Sequence, residues 1–166
     1  MGFIRRIKEE IRVVKERDPA IHSAMEVFLY PSFKVMVHYR LAHKLYKKKH
    51  YFWARLISQR AARKTGIEIH PGAKIGENCT IEPFVYIEDN VVIGDNCHIM
   101  AHASILSGTR MGNNNKVHHG AVVGGIPQDL KFVGEDTTLE IGDNNTIREN
   151  VTLNRGTASK GKTVIG

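Results

Sequence analysis

Residues 69–124 read IHPGAKIGENCTIEPFVYIEDNVVIGDNCHIMAHASILSGTRMGNNNKVHHGAVVG, and their period decides the fold. Ile69, Ile75, Ile81, Ile87, Ile93, Ile99, Ile105, Met111, Val117 and Val123 follow one another at intervals of six. An amphipathic helix repeats near 3.6 residues and a half-buried strand repeats at two, so neither produces this spacing. A triangular coil does. Each six-residue unit supplies one short strand and one corner, and three units close a turn. Stacked turns pair their strands in parallel, and like residues form ladders. The aliphatic residue points inward. The residue four positions later is small or compact (Ala73, Cys79, Val85, Cys97, Ala103, Thr109, Ala121) and fits beside it. Asn78, Asn90, Asn96, Asn114, Asn144 and Asn145, together with the glycines, suit the left-handed backbone that a corner needs. The expected fold is mainly β: a left-handed parallel β-helix over 67–166, following an α-helical domain over 1–66.

Reading outward in both directions, the pattern ends on each side. Residues 125–139 (GIPQDLKFVGEDTTL) lack the period and carry Gly125, Pro127 and Gly134, which predicts a loop extruded from one corner. The repeat resumes at Ile141, Ile147 and Leu153. Upstream, Phe3, Ile4, Ile7, Ile11 and Val14 recur at helical spacing. Asp18-Pro19 reads as an N-cap followed by a first helical turn. A further helix is expected from Ser32, carrying Phe33, Val37, Leu41 and Leu45. Another carries Phe52, Leu56 and Ile57 and stops near Gly66.

Charge divides along the same boundary. Residues 1–64 hold 16 Lys and Arg against 5 Asp and Glu, whereas residues 65–166 hold 8 against 12. No nucleic-acid motif accompanies the basic half, so a solvated helical surface is expected and no nucleic-acid partner. No apolar run approaches the ~20 residues that span a bilayer. The charged N-terminus shows no signal core, and membrane insertion is not expected. Cys79 and Cys97 both occupy the small-residue slot and read as packed thiols, consistent with a bacterial cytoplasm.

Two families are recognisable, one in each half. Residues 1 to about 76 resemble bacterial serine acetyltransferases through Arg17-Asp18-Pro19-Ala20, His38-Tyr39-Arg40-Leu41-Ala42-His43, and Gly66-Ile67-Glu68-Ile69-His70-Pro71-Gly72-Ala73-Lys74-Ile75-Gly76. Residues 69–166 resemble the UDP-N-acetylglucosamine acyltransferase that begins lipid A synthesis. The carriers there are Pro127-Gln128-Asp129-Leu130-Lys131, Gly134-Glu135, Ile141-Gly142-Asp143-Asn144-Asn145, Arg148-Glu149-Asn150-Val151-Thr152 and Arg155-Gly156-Thr157. Both resemblances imply a trimeric left-handed β-helix that moves an acyl group from a thioester to a hydroxyl. The donor would be acyl carrier protein or coenzyme A, as acyl-ACP or acetyl-CoA, with no bound cofactor. A homotrimer is expected, with a dimer of trimers through the helical domain as the alternative.

The resemblances also nominate residues. Asp18 matches a serine-holding residue, and Glu68 matches the carboxylate that orients the serine family's histidine. Gln128, Asp129 and Lys131 match the loop that engages the sugar nucleotide, where a carboxylate can accept sugar hydroxyls and a lysine can meet phosphate. Neither family's catalytic histidine stands at its place. The serine family's position reads Glu77-Asn78-Cys79-Thr80-Ile81-Glu82, and the lipid A family's His-Ile-Ala-His-Asp segment lies downstream of a glycine matching Gly166. Residue chemistry offers His118 and His119 instead, adjacent on a coil whose inward residue is Val117. A metal site among His98, His102, His118 and His119 is not expected, because no second histidine stacks one coil from His102. The expected activity is O-acyl transfer to UDP-N-acetylglucosamine or to serine. The competing expectation is a trimeric scaffold without catalysis.

Overall fold

The computed structural model describes residues 11–15, 21–23 and 25–166. Asp18 lies outside them. A 3₁₀ turn at Glu26–Leu29 leads into helix α1 (Pro31–Lys47) and helix α2 (Tyr51–Thr65). Proline sits in the first turn of α1, where its missing N–H costs nothing. Gly66 closes α2 at φ 71°, the left-handed cap that spares a side chain.

The inward face of α1 differs from the expected stripe. Phe33, Val35, Met36, Tyr39 and Ala42 are buried, while Leu41 is 48% exposed. The helix is rotated so that Tyr39 and Arg40 reach the first coil below it. On α2 the buried positions are Ala54, Ser58, Ala61 and Thr65, and Phe52 stands in solvent. Small residues let the helix sit close against its neighbours.

Fourteen strands follow, in three parallel sheets that form the faces of a prism. The first sheet stacks β1 (Glu68–Ile69), β4 (Tyr86–Ile87), β7 (Ser104–Ile105), β10 (Val122–Gly125) and β13 (Thr152–Asn154). The second stacks β2 (Lys74–Ile75), β5 (Val92–Ile93), β8 (Thr109–Met111), β11 (Thr138–Ile141) and β14 (Lys162–Ile165). The third stacks β3 (Thr80–Ile81), β6 (His98–Ile99), β9 (Lys116–Val117) and β12 (Thr146–Ile147). Partners pair one coil apart, as in Ile69↔Ile87, Ile75↔Ile93 and Ile81↔Ile99. The fold is a left-handed parallel β-helix preceded by a short helical region.

The aliphatic ladder is the core. Ile81, Ile87, Ile99, Ile105, Val117 and Val123 have no exposed surface. Cys79 and Cys97 are buried in the expected slot, where their thiols donate to Gly94 O at 3.1 Å and Gly112 O at 3.3 Å. Asn78, Asn90, Asn96, Asn114 and Asn144 turn corners with positive φ. Asn145 does not. Its backbone N–H donates to Asn115 Oδ1 at 2.8 Å, which places it just inside the corner.

A β-helix leaves unpaired backbone groups at its first coil, and here the helices satisfy them. The Tyr39 hydroxyl donates to Ala73 O at 2.7 Å and accepts from Ile75 N at 3.0 Å. Ser58 Oγ donates to Ile69 O at 2.8 Å. His43 Nδ1 meets Pro71 O at 2.8 Å, and the Arg40 guanidinium covers the carbonyls of Ile75 and Gly76.

Candidate active site

Two places on the prism carry the residues singled out from the sequence, and they lie on different edges. The first is the loop between β10 and β11, at the edge joining the first and second sheets. The pairing Met111↔Ile141 spans the insertion, so one coil here takes 12 residues more than the regular 18. Gln128, Asp129 and Lys131 are exposed on this loop. Asp129 shapes the tip: its Oδ1 accepts from Lys131 N at 2.9 Å, and its carbonyl accepts from Phe132 N at 2.9 Å. Arg155 secures the base. Its backbone N–H donates to Gly125 O at 2.9 Å, and its guanidinium lies 6.0 Å over the Phe132 ring. The three polar side chains are thus presented to solvent by a braced loop, a posture suited to meeting a ligand from outside.

The second place is the edge joining the third and first sheets. His118 follows Val117 of β9, and Glu149 follows β12 one coil further along. Their side chains meet, with His118 Nδ1 at 2.9 Å from Glu149 Oε1. Arg148 grips the same carboxylate through Nε at 2.9 Å from Oε2 and a terminal nitrogen at 3.2 Å from Oε1. The Arg148 guanidinium, with help from a backbone donor and from His118, holds the Glu149 carboxyl down at about 2. It is therefore ionised at any working pH and accepts the Nδ1 proton, leaving Nε2 as the basic nitrogen.

On the same edge, Glu82 stands two coils before His118; its Oε1 lies 2.6 Å from His98 Nε2, and its Oε2 accepts from Ala101 N at 3.0 Å. His119 Nε2 stands 3.9 Å from Glu82 Oε2, with its side chain 58% exposed. The adjacent histidines therefore serve different carboxylates. Glu82 and His98 also floor a cleft of about 300 Å³ whose walls include Val14, Tyr30, Pro31 and Pro83. Glu68 is exposed on β1 and lines a shallow polar hollow with His70, Glu88 and Asp89.

The sequence reading missed the carboxylates Glu149 and Glu82. Glu149 stands 31 residues after His118, and its proximity shows only once the loop's extra residues are removed from the count. Among the described residues no three His, Cys, Asp or Glu side chains converge as metal ligands. No described helix is long and apolar enough to cross a membrane.

Comparison with known proteins agrees with this architecture. Residues 72–107 and 90–125 match the family model described as bacterial transferase hexapeptide (six repeats). Residues 72–125 of the prism carry the repeat that this model describes. An acyl-[acyl-carrier-protein]–UDP-N-acetylglucosamine O-acyltransferase of Bartonella bacilliformis is 46% identical over 109 residues, covering 61% of this chain and 40% of that protein. A serine acetyltransferase of Bacillus licheniformis is 43% identical over 115 residues, covering 69% and 51%. Among solved structures, a UDP-N-acetylglucosamine acyltransferase from Bacteroides fragilis superposes with a TM-score of 0.60 at 67% identity, covering 61% of this chain and 40% of that one. The chain spans about two fifths to one half of the length of these curated relatives. The hexapeptide repeats are thus shared with acyltransferases of both kinds.

Proposed function

We propose that the chain is an O-acyltransferase that moves an acyl group from a thioester to a hydroxyl of UDP-N-acetylglucosamine. The observation that carries this reading is the 67% identity to the Bacteroides fragilis UDP-N-acetylglucosamine acyltransferase over three fifths of the chain. In this reading Gln128, Asp129 and Lys131 hold the sugar nucleotide, the carboxylate accepting sugar hydroxyls and the ammonium meeting phosphate. The donor is acyl carrier protein or coenzyme A carrying the acyl group, and no bound cofactor is needed. The working assembly is a homotrimer in which the loop of one copy reaches toward another. Serine is the second acceptor, supported by the 43% identity to the Bacillus licheniformis serine acetyltransferase. Asp18, where the resemblance places serine binding, belongs to that second reading.

A trimeric scaffold without catalysis is the competing reading. It is favoured by one observation, the absence of histidine from Glu77–Glu82, where serine acetyltransferases carry their base.

The test is thiol release from acetyl-CoA and from acyl-ACP, with UDP-N-acetylglucosamine and serine offered separately. Release that depends on the sugar nucleotide, with KM raised in Asp129→Asn and Lys131→Ala, is the expected result. Release that depends on serine alone moves the acceptor to the second reading. No release with either acceptor, from protein that is folded and trimeric, leaves the scaffold. Sedimentation as a monomer at micromolar concentration contradicts the threefold assembly.

A further inference from the structure

We propose that the tip of the helical hairpin, where α1 turns into α2, is a docking surface for an anionic lipid bilayer. This role is independent of the acyl-transfer reading and of the acceptor.

Residues 27–67 contain ten Lys and Arg and no Asp or Glu. Lys47, Lys48 and Lys49 follow one another where α1 ends, and all three are exposed. Every ion pair between described residues lies on the prism, so no described carboxylate neutralises these ammonium groups. Tyr51, Phe52 and Trp53 then open α2, with Phe52 71% and Trp53 57% exposed. The Phe52 and Trp53 rings meet edge to face at 5.3 Å and form one apolar patch beside the lysines. The tip is braced. Lys49 N donates to Tyr46 O at 2.9 Å, His50 N donates to Leu45 O at 3.0 Å, and the Tyr51 ring packs on Tyr46 at 5.0 Å.

Folding does not account for this combination. Lys44 and Lys47 complement the dipole at the end of α1. Lys48 and Lys49 also stand just before α2, whose first turn holds no acidic residue, and positive charge is unfavourable there. Phe52 and Trp53 leave most of their surface outside the fold. An anionic bilayer suits both groups. Its negative surface attracts the lysines, and aromatic rings settle at the level of the headgroups. A second copy does not suit them, because two such tips would bring cations together with no carboxylate between them. A nucleic-acid duplex offers phosphates to the lysines but no apolar boundary to Phe52. The prism, with 8 Lys and Arg against 12 Asp and Glu over residues 65–166, is repelled by the same surface. The charge asymmetry therefore turns the helical end toward the bilayer and leaves the prism in solvent.

Trp53 is the single tryptophan of the chain, so its emission reports directly on the tip. The full chain is titrated with vesicles of phosphatidylglycerol mixed with phosphatidylcholine, and with vesicles of phosphatidylcholine alone. Emission, acrylamide quenching and co-sedimentation are followed. The expected result is a blue shift, reduced quenching and co-sedimentation with the anionic vesicles only, weakening as salt rises. A lysine near an anionic surface is worth about fivefold in binding, so Lys47→Gln with Lys48→Gln should weaken it on the order of 25-fold. Phe52→Gln should weaken binding at high salt as well as low, because its contribution is apolar. Lys116→Gln with Lys160→Gln removes the same charge from exposed positions of the prism and should change binding by about twofold or less. No shift and no co-sedimentation with the anionic vesicles overturns the proposal. Equal losses in the two lysine pairs also overturn it, since net charge alone would then be the cause. Binding to a mixed-sequence oligonucleotide without binding to vesicles assigns the surface to nucleic acid instead. Emission that is already blue and protected in buffer, and that reddens on dilution, assigns it to a second copy.

Discussion

Two edges of the same prism obey the same geometry and are furnished in opposite ways. At the edge between the second and third sheets, each coil closely follows its neighbour: Gly76, Gly94, Gly112 and Gly142 in one slot, Glu77, Asp95, Asn113 and Asp143 in the next. The repetition is a hydrogen-bond ladder. Asp95 Oδ1 accepts from Glu77 N at 2.7 Å, and Asn113 Oδ1 accepts from Asp95 N at 2.8 Å. At the edge between the third and first sheets the corresponding slots hold Glu82, Met100, His118 and Arg148, then Pro83, Ala101, His119 and Glu149. Its corners are turned by Phe84, His102, Gly120 and Asn150, all at positive φ, with the Phe84 and His102 rings stacked at 4.9 Å. One edge repeats because repetition itself makes its bonds. The other is released from repetition and gathers titratable side chains. In a repeat fold, a site is expected where the repeat is broken without loss of the coil.

The sharpest way to break this comparison is to insert a side chain into the repeating edge. A Cβ on Gly94 would stand 2.6 Å from Gly112 O, and that obstacle is backbone. Gly94→Ala should therefore destabilise by about 1–3 kcal/mol or more, the range for overpacking a tight interior. Chemical denaturation measures it. His119→Ala, on the variable edge and 58% exposed, should remain within about 0.5 kcal/mol of wild type, as open positions usually do. Equal losses at the two edges would dissolve the distinction.

The next effect lies where the helices meet the first coil. Tyr39→Phe keeps the ring but orphans Ala73 O and Ile75 N, both served by the hydroxyl. Leaving buried partners unsatisfied costs about 1–3 kcal/mol. A smaller loss, read from the same denaturation curves, would show that water or backbone motion replaces the hydroxyl.

How far the sequence alone reaches is clear from these same residues. The six-residue period, the inward ladder and the asparagine corners are local patterns, and each is visible without coordinates. The rotation of α1 was not, because it is set by Tyr39 and Arg40 reaching a coil some 35 residues away in the chain. The His118–Glu149 contact was hidden for a similar reason. An insertion of irregular length stands between the two residues, and stacking arithmetic fails across it. Phe84 and His102 were also unexpected at corners, since bulky residues rarely accept positive φ. Gly66 shows what supports them. It is both the cap of α2 and the first corner of this ladder, and Phe84 N donates to its carbonyl at 2.9 Å.

That ladder yields a smaller prediction. Phe84→Asn would relieve a left-handed conformation costing an ordinary residue roughly 1–2 kcal/mol, and would forfeit an aromatic stack worth about 0.5–1.5 kcal/mol. The two nearly cancel, so thermal unfolding should change by less than about 1 kcal/mol in either direction. A large loss would mean that the Phe84–His102 stack is structural in the way the glycine ladder is.

Acid should separate the regions more gently. Burial is the main cause that lowers the pKa of His43 and His70, which flank the first coil. The unfolded chain then takes protons first, so stability falls as pH drops below about 6.5, the ordinary histidine value. Protonating His70 also removes the acceptor that Gly72 N uses at 3.1 Å. Glu149 runs on a different scale. Its lowered pKa favours the folded state above the ordinary carboxylate range, and that contribution is lost only as pH falls through about 2. Between pH 7.5 and 5, melting should therefore decline through the capped first coil while the Arg148–Glu149–His118 contact keeps its carboxylate charged. His70→Asn, which retains an acceptor for Gly72 but cannot titrate, should flatten the decline. A decline of undiminished slope in that variant would shift the acid response away from His70, leaving His43 as the titrating partner of the helices.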